Sequence, residues 1–148
     1  VVVLSRQGLA TVRTDHTDEN LSAKGAYLLA NSDGKRKVTI LATGSEVEIA
    51  MQACDQLKAE GVSAVVVSMP CLDKFEEQSQ DYRDQVIQPD TPVVVVEAAV
   101  EQSWGKYLGR KGKFIGMSTF GASAPANELY EHFGITTQNV VNAAKQIV

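Results

Sequence analysis

The chain has 148 residues and a mass of 15.9 kDa, enough for one compact domain with a leading tail and too short for two domains of ordinary size. Its hydrophobic content of 44% excludes wholesale disorder, and a net charge of −4 with 14 scattered basic residues argues against a nucleic-acid partner. No apolar run reaches the roughly 18 residues needed to cross a bilayer and no signal-peptide pattern opens the sequence, so a cytoplasmic protein without a membrane partner is expected.

Residues 1–4 (VVVL) form an apolar run without an initiator methionine, and they deliver Ser5, Arg6 and Gln7 to the point where the run stops. This predicts a strand that ends on an anion-binding group. A buried strand needs neighbours to pair its backbone groups, so residues 1–7 are expected to belong to a preceding domain. Here that strand is expected to be mobile or paired non-natively. Residues 15–21 (DHTDENL) are polar and without period, which predicts a surface linker. The expected division is a tail and linker at 1–23 and a domain at 24–148.

Residues 25–30 (GAYLLA) predict a short strand closed by the turn residues 31–34 (NSDG). A buried strand follows at 38–43, and Gly44-Ser45 stops it. Ser45 with Glu48 makes a capping-box pattern, and Val47, Ala50, Met51, Cys54 and Leu57 recur at helical spacing. A helix at about 46–60, closed by Gly61, is predicted. The buried run 64–69 then ends at Pro70 and completes a β-α-β unit. The charged stretch 73–86, with sparse apolar residues Phe75, Tyr82 and Val86, predicts a short helix or helical turns on the surface.

Residues 93–96 (VVVV) have the composition of a central strand. A weaker strand is predicted at 113–117 and two helices at 126–133 and 137–148, separated by Gly134. Strands alternating with helices imply a three-layer α/β/α domain around a mostly parallel sheet. The hairpin-like segment 27–30, joined to residue 38 by a short turn, is expected to lie antiparallel to the rest.

Each candidate for chemistry has a structural alternative. Gly44 and Ser45 stand where a strand hands over to a helix, so their N–H groups can hold an anion; equally, Ser45 is an N-cap. The glycines of a dinucleotide loop and the P-loop lysine are absent, and Glu46 would itself occupy the positive helix end. Glu97 and Asp73 can line the crevice at the carboxyl ends of the strands, or cap turns. His16 and His132 are expected to face solvent, Cys54 to pack as an apolar residue, and Cys71 to lie in a loop without a basic neighbour. The two cysteines have neither CxxC nor histidine spacing, so no structural zinc is expected. Trp104 and Tyr107 read as packing over the sheet. Arg6 carries a planar charged fork suited to phosphate, although a structural ion pair explains it equally well.

The ordered set LSRQGL (4–9), KGAYLL (24–29), ILATGSEVEIA (40–50), VVVSMP (65–70), YRDQVI (82–87), VVVEA (94–98), WGKY (104–107) and STFGASAPANELYEHFGIT (118–136) resembles the C-terminal part of transketolase over essentially the whole chain. The resemblance implies a mixed five-stranded sheet with one antiparallel strand. It implies a parent homodimer of the pentose phosphate pathway that transfers a two-carbon ketol unit between sugar phosphates, using thiamin diphosphate and magnesium or calcium. It also implies that Arg6, with Ser5 beside it, binds substrate phosphate. The family's Gly-Asp-Gly motif, its activating glutamate and its histidines have no counterpart here. The chain alone is therefore expected to bind neither cofactor nor metal and to be non-catalytic, its partners being the N-terminal and middle domains of the same protein. Two alternatives stand beside this: a non-catalytic dimerisation or regulatory anion-binding module, and the equivalent domain of another thiamin-diphosphate enzyme.

Overall fold

A computed structural model of the chain describes every residue except Val2, Arg6 and Asp33. Five strands, β1 (Tyr27–Ala30), β2 (Val38–Ala42), β3 (Ala64–Ser68), β4 (Val93–Val96) and β5 (Lys113–Ile115), make one sheet in the order β1-β3-β2-β4-β5. The three central strands are buried along their whole length, which is why they read as unbroken apolar runs rather than alternating ones. β2 runs parallel to β3, with Val38 opposite Ala64, and parallel to β4, with Ala42 opposite Val96; β4 in turn runs parallel to β5.

The one antiparallel pair is β1 with β3, Tyr27 standing opposite Ser68. The expected antiparallel direction is therefore present, but the hairpin with β2 is not. Both edges of β2 are taken by parallel ladders closed by crossover connections, so the edge left for β1 is that of β3. The strand also starts later than expected. Gly25 has φ +83 and closes a 3-10 turn at Leu21–Lys24, and its carbonyl accepts a hydrogen bond from the Cys71 N–H at 3.0 Å. A Cβ at Gly25 would lie 2.2 Å from the Phe75 nitrogen and 2.4 Å from the Cys71 oxygen. Only glycine fits that crossing of two backbones.

Helices cover both faces, as a three-layer α/β/α domain requires. On one face α1 (Glu46–Ala59), α5 (Ala126–Phe133) and α6 (Thr137–Ile147) close over Ile40, Leu57, Val66, Val94 and Val140. On the other, α2 (Leu72–Glu76), α3 (Gln80–Ile87) and α4 (Gly105–Leu108) cover Leu41, Val67, Phe75, Val95 and Trp104. Ile40 and Leu41 fall on opposite faces because side chains alternate along a strand. The stretch predicted as a short helix or helical turns on the surface forms two short helices, but Phe75 within it is fully buried rather than at the surface. Burying an aromatic of that size contributes about 2–3 kcal/mol.

The strand predicted at residues 1–7 is not formed by the described residues there, and Val1, Val3 and Leu4 are exposed. A strand persists only where its backbone groups find partners, and β1 and β5 form the two edges of the only sheet among the described residues. Further on, Val12 packs against the α1 side of the core and the Arg13 guanidinium lies 5.4 Å from the Tyr27 ring centre. The turn expected at 31–34 includes Asp33, which lies outside the described residues; Ser32 there donates to the Gly34 carbonyl at 3.0 Å.

Candidate functional site

The connection from β2 to β3 crosses one face through α1, and the connection from β3 to β4 crosses the other through α2 and α3. The chain therefore diverges at the carboxyl ends of β2 and β4, and open α/β sheets bind ligands at such a divergence. Gly44 and Ser45 follow β2 there and Glu97 follows β4. Ser45 and Glu97 border a crevice of about 320 Å³, together with Gln7, Glu46, Tyr130 and the apolar side chains of Leu129 and Phe133. Three larger concavities, of about 990 Å³ beside Ile49 and His132, about 590 Å³ around residues 35–37 and about 370 Å³ beside Gly34 and Gly61, contain neither Glu46 nor Glu97.

The crevice is organised around a carboxylate. Glu46, the first residue of α1, is only 5% exposed. Its Oε1 lies 2.5 Å from the Tyr130 hydroxyl and 3.0 Å from Ser45 Oγ, and the Tyr130 hydroxyl is 2.9 Å from Ser45 Oγ. Three oxygens share two hydroxyl protons, and donation by both Ser45 and Tyr130 to the carboxylate satisfies them. The positive end of α1 adds to the stabilisation of that charge. Burial, then the hydrogen bond to Glu46, push the Tyr130 hydroxyl from 10 up to about 12. Tyr130 is thus a fixed donor at neutral pH.

This arrangement corrects the capping box. Ser45 has helical φ and ψ of −66 and −28, and its side chain accepts no helix N–H. The adjacent carboxylate of Glu46 competes for the hydroxyl and wins, because a charged acceptor makes a stronger bond than a backbone amide donor offers. At the Gly44-Ser45 turn, where an anion was one of two readings, the chain places the Glu46 carboxylate next to Ser45. Gly44 has φ +57, which the tight strand-to-helix turn uses.

Glu97 is held from the other face. One of its carboxylate oxygens, Oε2, accepts from the indole Nε1–H of Trp104, whose side chain is fully buried. The packing reading of Trp104 is therefore the structural one. Tyr107 beside it donates to Glu76 at 2.5 Å, and Glu76 also meets Arg83 and Lys106, each at 3.0 Å. The Tyr107 hydrogen bond, followed by these cations, holds the Glu76 carboxyl below its ordinary value. Sequence reading missed both carboxylate clusters. Their members are separated by up to 85 and 31 positions, so no local spacing could have signalled them.

The remaining candidates are dispersed. Asp73 is exposed in the first turn of α2. His16 is exposed with Asp18 at 3.2 Å, and His132 is exposed with its ring against Phe133. Cys54 is buried and donates to the Ala64 carbonyl, burial pushing its thiol up; Cys71 is partly exposed. Ser5 is exposed, and Arg6 lies outside the described residues. Gln7, one residue on, lies at the crevice. Among the described residues no three His, Cys, Asp or Glu side chains gather as a metal site would require, and no helix is long and apolar enough to cross a membrane.

Comparison with known proteins follows the same outline. Residues 25–136 match the family model described as the transketolase-like TK C-terminal domain. A transketolase from Cereibacter sphaeroides is 53% identical over 146 residues, which are 99% of this chain and 22% of that protein. The solved transketolase from Leishmania mexicana superposes with a TM-score of 0.80 at 41% identity, over 86% of this chain and 18% of its own. One from Pichia stipitis, solved in complex with sedoheptulose 7-phosphate, gives 0.77 at 35% identity, over 85% and 18%. The chain spans about a fifth of the length of the curated relatives it matches.

Proposed function

The chain belongs to the transketolase-like C-terminal domain family, and from that membership we propose that it serves as the C-terminal part of a transketolase, an enzyme that moves a two-carbon ketol unit from a ketose phosphate to an aldose phosphate. In this reading residues 1–23 are the end of the preceding domain and a linker, and 24–148 are the last domain. The parent is a cytoplasmic homodimer of the pentose phosphate pathway. The observation that carries the proposal is identity of 53% across nearly the whole chain, with Gln7 of the LSRQ segment bordering the crevice at the sheet's divergence.

Within that enzyme Arg6 binds the substrate phosphate through its bidentate fork and Ser5 adds a hydroxyl donor. Thiamin diphosphate would supply the electron sink for the ketol carbanion, with magnesium or calcium as its companion ion. In this reading both are held by the rest of the enzyme, and the chain contributes binding and packing. Glu46 and Glu97 do not act as acid or base: hydroxyl and indole donors are already committed to their carboxylates. In this reading Ser45 donates to Glu46 rather than to an external phosphate.

The test is a chimera in which this chain replaces the matching segment of the Cereibacter enzyme. Ketol transfer between sugar phosphates is expected, and an inactive, folded, cofactor-loaded chimera would overturn the reading. Arg6→Gln in that chimera is expected to raise KM for a ketose phosphate at least about tenfold, the worth of one charged hydrogen bond, and to leave KM for an unphosphorylated ketose unchanged. Phosphate titrated into the 148-residue chain is expected to leave the Gly44 and Ser45 amide NMR signals in place; movement at millimolar phosphate would restore a regulatory anion site.

A further inference from the structure

Charge is unevenly placed on this chain. Lys35, Arg36 and Lys37 are far in sequence from Arg110, Lys111 and Lys113, but the first three lead into β2 and the others into β5, and both strands run parallel to β4, which lies between them. Six of the 14 basic residues therefore gather at the amino ends of the strands, the end of the sheet away from the Glu46 crevice. None of the six makes an ion pair among the described residues. On a chain of net charge −4 this leaves one positive end.

That end carries the concavity of about 590 Å³, whose wall joins residues 35–37 to the turn 88–92 before β4. Arg36 stands half-buried in the wall. Its Nη1 donates to the Val86 carbonyl at 2.8 Å and to Thr39 Oγ1 at 3.4 Å, while its Nε–H is buried without an acceptor. Desolvated cations and buried donors are ordinarily matched, and this guanidinium lacks a carboxylate among the described residues. Two carboxylates do share the wall, Asp84 and Asp90. Asp84 already accepts from Gln80 Nε2 at 2.6 Å, and neither forms an ion pair among the described residues. Gln88, also in the wall, has φ +55 and is the one non-glycine residue with positive φ among the described residues. Strain of that kind collects at ligand sites.

We propose that this concavity binds a phosphate group, free or carried by a small molecule, at the end of the sheet opposite the crevice and independently of the function proposed above. Lys35 and Lys37 supply exposed ammonium donors. Arg36, held by the carboxyl end of α3, supplies a charge that need not be ordered on binding. Arg110, Lys111 and Lys113 raise the potential from the β5 side without lining the concavity. Its volume falls in the range of small-molecule sites, and Pro89, Pro92 and Ile147 give it an apolar wall for an organic substituent.

The experiment titrates inorganic phosphate and, separately, phenyl phosphate into the isotope-labelled 148-residue chain at fixed ionic strength, with the backbone amides followed by NMR. Amides of Lys35, Lys37, Gln88 and Thr91 are expected to shift and to saturate, with half-occupancy at about 1–10 mM. In the double variant Lys35→Gln, Lys37→Gln, which leaves Arg36 on α3, binding is expected to weaken at least about tenfold, while unchanged amide signals from β3 and β4 report that the fold is kept. Tighter binding of phenyl phosphate identifies an esterified phosphate as the ligand, and equal binding a free one; both support the site. Shifts that are absent, that rise without saturating, that potassium chloride reproduces, or that keep their affinity in the double variant overturn the proposal. The readout does not involve ketol transfer, so it stands or falls apart from the proposed function.

Discussion

Tyr130 and Gly25 show how single residues fix this domain. Removing the Tyr130 hydroxyl leaves Glu46 buried with Ser45 as its remaining hydroxyl donor, so Tyr130→Phe is expected to cost about 1–2 kcal/mol in urea denaturation at pH 7. Its pH dependence has a definite sign. With the folded hydroxyl raised from 10 to about 12, the unfolded chain loses this proton first as pH rises. The stabilisation is complete below pH 10 and is lost as pH passes about 12. The stability gap between the native chain and Tyr130→Phe should therefore narrow over that interval; a constant gap would show that the hydroxyl is not shifted. Gly25 and Gly44 form a contrasting pair, since both have positive φ but only Gly25 faces backbone atoms within 4 Å. Gly25→Ala is expected to destabilise by about 3 kcal/mol or more, because two backbones must separate. Gly44→Ala should cost about 1–2 kcal/mol, the left-handed penalty alone. Thermal denaturation of the two variants reads the difference directly.

At the scale of elements, protection should follow burial. Amides of β2, β3 and β4, paired on both sides and covered on both faces, are expected to exchange through global unfolding. Those of α5, whose side chains are at most half-buried, should exchange orders of magnitude faster. Equal protection of α5 and β3 in native-state hydrogen exchange would contradict this. The same contrast explains what could be read from the sequence. The valine-rich runs and the 3.6-residue spacing of α1 and α5 are local signals, and they located those elements to within a residue or two. The partner of β1 is a non-local property, decided by which strand edge the crossovers leave open. Capping of α1 was misread for a different reason. Ser45 and Glu48 have the right spacing, but Glu46 offers a charged acceptor one residue away, and the Tyr130 hydroxyl that completes the cluster comes from 84 positions further along. Where a true cap does form, at Thr136, whose hydroxyl oxygen accepts from the Asn139 N–H, Thr136→Ala is expected to cost about 1 kcal/mol.

For the molecule as a whole, one sheet joins two apolar clusters. Leu57 lies in the cluster under α1 and Trp104 in the one under α2 to α4, and each cluster contains alternate residues of the same central strands. Neither face can lose its packing without exposing strands that the other face also needs, so the domain should unfold in one step. This can be tested across the sheet. Leu57→Ala removes a fully buried side chain on one face and is expected to cost about 2–5 kcal/mol. Trp104, the chain's single tryptophan, reports on the opposite face. If the sheet couples the layers, Leu57→Ala lowers the urea midpoint seen by Trp104 fluorescence and the midpoint seen by far-ultraviolet circular dichroism by the same amount. A fluorescence midpoint that stays put while the dichroism midpoint falls would mean that the two faces unfold independently. Phe75→Ala, which opens a cavity in the Trp104 cluster, supplies the reciprocal measurement. Because Leu57 and Phe75 stand on opposite faces without shared partners, their combined cost should be the sum of the single costs to within about 0.5 kcal/mol, so cooperativity of unfolding and additivity of energies are expected together.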